Sequence, residues 1–229
     1  MKLIIVEGKD DKLFFEELLG SEFFENQKNF KVTFPSEYRN KKVASEGDSG
    51  GVEKILKLQQ IDEIFNRSEF EEYSFESVIL ICDADADFNS RKDSLKHLQA
   101  KLKEKYPAKE FEFYILPDNR NSGFLEEFLL EIISENQEDK FITRVNRFGE
   151  EIEKIEEYNK LYLPKLKMIS YLYSATGGNR GISNAIESYR NRKKREKFLE
   201  NSEKFFLNFE SENESLKKLK STLKKFLKS

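Results

Sequence analysis

The stretch VILICDADADF, residues 78–88, decides the fold. Val78–Cys82 is wholly apolar and rich in β-branched residues, the composition of a strand buried on both faces. Three aspartates follow at alternate positions, Asp83, Asp85 and Asp87. A doubly buried strand belongs to a parallel sheet covered by helices, and the flanking sequence supplies both. Leu3–Val6 is a short apolar strand. Residues 10–19 carry apolar side chains at 13, 14, 18 and 19, which is helical spacing, with Asp10 as N-cap. FKVTF at 30–34 alternates as a strand and stops at Pro35; a loop ending in Ser49-Gly50-Gly51 leads to a helix over 52–65. A polar helix over 90–105, a strand over 111–116, a turn at Pro117-Asp118-Asn119 and a helix over 124–133 complete the series.

Strand and helix thus alternate through residues 1–135. The expected fold is α/β: an open, mostly parallel four-stranded sheet with helices on both faces. Residues 136–229 read as a helical C-terminal extension packed on the same core. Its last helix puts Leu216, Leu219, Leu223, Phe226 and Leu227 on one face.

The totals narrow the chemistry. One cysteine, Cys82, and one histidine, His97, in 229 residues exclude a disulfide framework, a multi-cysteine zinc site and a histidine cluster. Cys82 reads as a core residue and His97 as a surface one. Charged residues make up 36% of the chain, and no apolar stretch has the length of a signal peptide or a membrane span, so the expectation is a soluble cytoplasmic protein. Charge is unevenly spread. Residues 190–229 hold 13 Lys/Arg against 6 Asp/Glu, which leaves the rest of the chain strongly acidic. No G-x-G-x-x-G or Walker pattern is present.

In open parallel sheets, sites form at the carboxyl ends of the strands. Glu7 follows the first strand, Asp83 and Asp85 the third, and Asp118 the fourth. Carboxylates gathered there repel one another unless a cation neutralises them, and a hard oxygen-ligated ion, Mg²⁺ or Mn²⁺, suits the set. Asp83 and Asp85 share a side provided that the backbone stays extended. Asp11, in the first turn of its helix, can point back to the same edge. For Asp10, Asp87, Asp93 and Asp118 taken singly, capping and turn roles are the better reading.

A strand ending in Val6-Glu7-Gly8, with Asp11 soon after, and a later hydrophobic strand ending in Asp83-x-Asp85 resemble the TOPRIM domain, shared by topoisomerases, bacterial primases, OLD-family nucleases and small standalone proteins. The resemblance covers residues 1–135 and implies Mg²⁺ held by Glu7, Asp83 and Asp85, with Glu7 assisting acid–base chemistry. The Glu7–Asp11 spacing is closer to that of OLD-type nucleases, where both acids serve metals. Gly50-Gly51 resembles that family's glycine loop, and Gly123-Phe124-Leu125-Glu126 resembles a later element whose glutamate, Glu126, would serve a second metal. Lys165, Lys167 and the S-A-T-G-G-N-R-G stretch at 174–181 are similar to an uncharacterised group of standalone members. Topoisomerase, primase and ATPase modules are not seen in the sequence.

The implied activity is Mg²⁺-dependent phosphodiester hydrolysis or phosphoryl transfer on nucleic acid. Lys165 or Lys167 would offset developing charge, and Arg180, Arg190, Arg192 and Lys193 would contact phosphate. Two rivals remain: a non-catalytic module acting through a separate protein partner, and a metal-dependent phosphohydrolase of small substrates. No membrane role is expected.

Overall fold

The structure is a computed structural model of the chain, and it describes residues 1–20, 29–35, 55–67, 74–134, 140–155, 163–176, 209 and 211–229. They form two compact units. The first comprises Met1–Gly123 with Lys220–Ser229, and the second comprises Phe124–Leu219. The division therefore falls ahead of the boundary expected after residue 135, and the last ten residues belong with the sheet.

The first unit holds four strands: β1 (Lys2–Ile5), β2 (Phe30–Thr33), β3 (Ser77–Asp83) and β4 (Glu110–Leu116). All pair in parallel, in the order β2-β1-β3-β4. The fold is thus the α/β class read from the sequence. From β1 the chain steps outward to β2, then returns past β1 to place β3 and β4 on the other side. The direction of winding reverses between β1 and β3, and in open α/β sheets the crevice that holds a ligand lies at the carboxyl ends of the strands beside such a reversal.

Among the described residues three helices accompany the strands: α1 (Lys9–Leu19), α2 (Leu58–Phe65) and α3 (Phe88–Lys105). On one face of the sheet, Leu3, Ile5, Val78, Leu80 and Cys82 pack with Ile61 and Ile64 of α2 and Leu95, Leu98 and Leu102 of α3. The i, i+3, i+7 spacing of those leucines aims one stripe of a polar helix at the strands. Ile4, Val6, Ile79 and Ile81, on the opposite face, are equally buried. Each such side chain contributes about 1.5–3 kcal/mol, so the two central strands carry much of the stability. Tyr106, at the end of α3, donates to Asp62 of α2 (2.7 Å) and meets Phe65 edge-on.

The second unit is helical in its described residues: α4 (Leu125–Ser134), α5 (Lys140–Glu153) and α6 (Leu163–Thr176), with α6 packed on both others. Phe128, Leu129, Ile132, Ile142, Val145, Met168 and Tyr171 are buried there. The last helix, α7 (Glu214–Lys228), is capped by Asn213, which accepts from the Leu216 N–H (3.0 Å). Leu216, Leu219, Leu223 and Phe226 are its buried face; Leu227 is half-buried. Its end is tied to β1, where the Lys2 ammonium donates to Ser229 and lies 5.6 Å from the centre of the Phe226 ring.

Candidate functional site

Parallel pairing decides what meets at the crevice. Ile5 of β1 stands opposite Leu80 of β3, so both chains leave the sheet at the same edge. Glu7 emerges beside the end of β3, and its Oε1 accepts the backbone N–H of Asp83 at 2.8 Å. This bond joins two residues that are distant in sequence and close only because β1 and β3 are neighbours.

Beyond Glu7 the chain turns into α1. The N-cap is Gly8, in extended backbone, and not Asp10 as the sequence suggested. Asp11 sits at the third helical position, where its carboxylate accepts the Gly8 N–H (3.1 Å). An acid there satisfies a donor that would otherwise lack a partner and complements the positive end of the helix, so the cap lies two residues earlier than expected.

After β3 the backbone does not stay extended. Asp85 has φ of 52°, in the left-handed region. Alternation therefore fails at the position where two aspartates were expected to share a side. The cause is a second loop. Asp85 and Gly123 exchange backbone hydrogen bonds of 3.1 and 3.0 Å. Ser122 accepts the Phe88 N–H (3.2 Å) and donates to the Ala86 carbonyl (3.1 Å). Aspartate tolerates this conformation better than most residues. Asp87 then caps α3 through the Ser90 N–H (3.0 Å), and Asp118 stabilises the turn after β4 by accepting from the amides of Arg120 and Asn121.

The Asp85 carboxylate forms an ion pair with Arg91, a residue that belongs to none of the motifs visible in the sequence. Arg91 lies one turn into α3, after its Asp87 cap, and that register was its only signal in the sequence. Its side chain is 11% exposed, and its Nε is buried without an acceptor.

Charge at this edge is unevenly balanced. Burial above all, then the nearby Asp11 and Asp85 carboxylates, push the Glu7 carboxyl from 4.5 up to about 8; the Asp83 N–H and Arg91 pull the other way. Burial also pushes the Cys82 thiol up, in keeping with an inert core residue. In donor chemistry the edge fits a hard dication, since it offers carboxylate oxygens with negative charge only partly offset. In position the match is looser: Asp85 turns to Arg91 and Asp11 to Gly8. Among the described residues no three His, Cys, Asp or Glu side chains form a group that could hold a metal ion.

Other expected site residues lie in the second unit. Glu126 (14% exposed) pairs with Lys165 (66% exposed) at 3.8 Å. Glu127 begins α4 as Asp11 begins α1, accepting the Phe124 N–H (3.0 Å); burial raises its carboxyl, with Lys167 opposing. A Cβ on Gly149 would lie 1.8 Å from the Lys167 Cε, so that glycine makes room for the lysine. Gly50, Gly51, Arg180, Arg190, Arg192 and Lys193 lie outside the described residues. His97 is exposed. Among the described residues no helix is long and apolar enough to cross a membrane.

Fold and edge together define an all-parallel α/β protein with an acidic crevice at its winding reversal. The chain belongs to the family described as protein of unknown function (DUF3226), whose profile matches residues 1–226. No curated protein and no solved structure matches it.

Proposed function

We propose that the crevice between β1 and β3 is a TOPRIM-like site for Mg²⁺-dependent phosphodiester hydrolysis or phosphoryl transfer on nucleic acid. The observation that carries this reading is Glu7: a carboxyl beside the end of β3, raised to about 8 by burial and by neighbouring acids. Such a group suits either of two tasks, taking up a divalent ion that relieves the excess negative charge or transferring a proton near neutral pH. Glu7, Asp83 and Asp85 are the residues that would hold the ion. A bound Mg²⁺ supplies charge neutralisation on a phosphoryl group and activation of water.

The chain's own contributions follow from the geometry. With Oε1 engaged by the Asp83 N–H, Oε2 of Glu7 is the atom that holds or moves a proton. The bond also fixes the carboxyl beside the end of β3. Asp85 is steadied on one side by Gly123 and on the other by Arg91.

The test is cleavage of plasmid, single-stranded DNA and structured RNA with Mg²⁺ or Mn²⁺, alongside calorimetric metal binding. Wild type is compared with the Asp83→Asn/Asp85→Asn double variant. Binding and cleavage that both vanish in the variant support the reading. A wild type that takes up neither ion at millimolar concentration overturns it.

A further inference from the structure

Arg91 has more donors than its surroundings use. A guanidinium carries five N–H groups and cannot shed its charge. Here the side chain is 11% exposed, its hydrogen bond to Asp85 leaves from Nη2 alone, and Nε is buried with no acceptor among the described residues. A residue serving only as the counter-ion of Asp85 would be expected to engage it through two parallel bonds, the arrangement that best suits arginine and carboxylate. An unsatisfied buried donor on a charged group calls for an explanation, and an unfilled ligand position is one. Arg91 stands at the crevice itself, within electrostatic reach of Glu7 and Cys82. The loop that carries its partner Asp85 is held in turn by hydrogen bonds to Ser122 and Gly123. The guanidinium is thus a positive group anchored at a predominantly negative edge, with donors to spare.

We propose that Arg91 is the anion-contacting residue of this edge: while Nη2 stays on Asp85, its remaining donors receive a phosphoryl oxygen of the substrate. This inference rests on the phosphate chemistry proposed above and narrows it, because it requires a ligand that bears an anionic phosphoryl group. Arginine suits the task through its planar, permanently charged fork, which lysine does not reproduce.

The experiment follows the ¹⁵Nε–Hε signal of Arg91 in the full-length protein, assigned by its loss in Arg91→Lys. Ca²⁺ replaces Mg²⁺ to slow turnover. The probes are inorganic phosphate, a mononucleotide and a short single-stranded oligonucleotide. The expected result is a saturable shift of the signal with the oligonucleotide. Arg91→Lys should weaken oligonucleotide binding by roughly tenfold or more, the worth of one charge-assisted hydrogen bond. In Arg91→Gln, which removes the charge, the slope of log K against log salt should fall by about 0.7 for the lost contact. A shift with phosphate and mononucleotide but not with the oligonucleotide keeps Arg91 as the anion contact and moves the substrate to small phosphate compounds. A signal unmoved by every probe overturns the inference, as does an Arg91→Lys variant that loses Ca²⁺ affinity while retaining oligonucleotide binding. The two proposals fail separately. Cleavage with an unmoved Arg91 signal leaves the nuclease reading and removes this one; a shifted signal without cleavage does the reverse. The wild-type titration needs no variant to fold, and Arg91→Gln provides a second substitution.

Discussion

Replacing Glu7 by glutamine makes a pH-dependent change in stability whose sign and size follow from the crevice. The glutamine amide oxygen can still accept the Asp83 N–H, so the hydrogen bond that joins β1 to β3 survives while the titrating group is removed. In wild type the Glu7 carboxyl rises from 4.5 to about 8 on folding. Between those values the unfolded chain has released its proton and the folded protein has kept it. Wild-type stability therefore falls as pH rises through the window, by about 1.4 kcal/mol per pH unit, and levels off above pH 8. Integrated across the window, this is about 5 kcal/mol, an upper bound, because relaxation and water entry reduce the penalty of a charge in a crevice. Glu7→Gln has no such term, and Asp11 and Asp85 are relieved of a like charge as well. The two proteins should match near pH 4.5, and the variant should lead by several kcal/mol at pH 9. Urea unfolding in EDTA from pH 4.5 to 9, with the slope m compared at each pH, measures the difference. A stability difference that stays flat across this range would refute the charge balance assigned to the edge.

Adding Mg²⁺ at pH 8 should narrow that gap, because a cation lowers the Glu7 carboxyl. Wild type should gain about 2.7 kcal/mol at a hundredfold excess over Kd, and Asp83→Asn much less, read as the shift in unfolding midpoint. Asp85→Ala should destabilise more than Asp85→Asn, since alanine loses the partner of Arg91 and tolerates the left-handed backbone poorly; the extra cost is about 1 kcal/mol in paired urea titrations, and equal losses would argue against strain there. Ser122→Ala removes the acceptor of the Phe88 N–H, so that amide should exchange with deuterium several-fold faster while the amides of β3 keep their protection. Leu98→Ala, which empties a site between α3 and the sheet, should cost about 2–5 kcal/mol in urea, with no change in any metal affinity.

Much of this architecture was legible in the chain. Val78–Cys82 could only be a strand covered on both faces, and the alternation of short apolar runs with helical spacings required helices to cover it. Glu7, Asp83 and Asp85 stood out as candidates because each lies at or just beyond the end of a strand, where parallel sheets place their sites. The N-cap of α1 is Gly8, two residues before the expected Asp10, because Asp11 acts from the third helical position by accepting the Gly8 N–H, a role that composition alone does not separate from capping.

The sequence by itself determined the strands, their buried faces and the rank of acids at their ends, because periodicity and composition are local properties. Tertiary structure decided the rest. The order β2-β1-β3-β4 brought Glu7 onto the Asp83 amide and raised its carboxyl, an effect of burial and of charges from distant parts of the chain. The loop ending in Ser122 and Gly123 turned Asp85 out of the extended conformation and toward Arg91. Neither the left-handed aspartate nor its guanidinium partner has a local signature, because both arise from hydrogen bonds that exist only once the strands have been laid side by side.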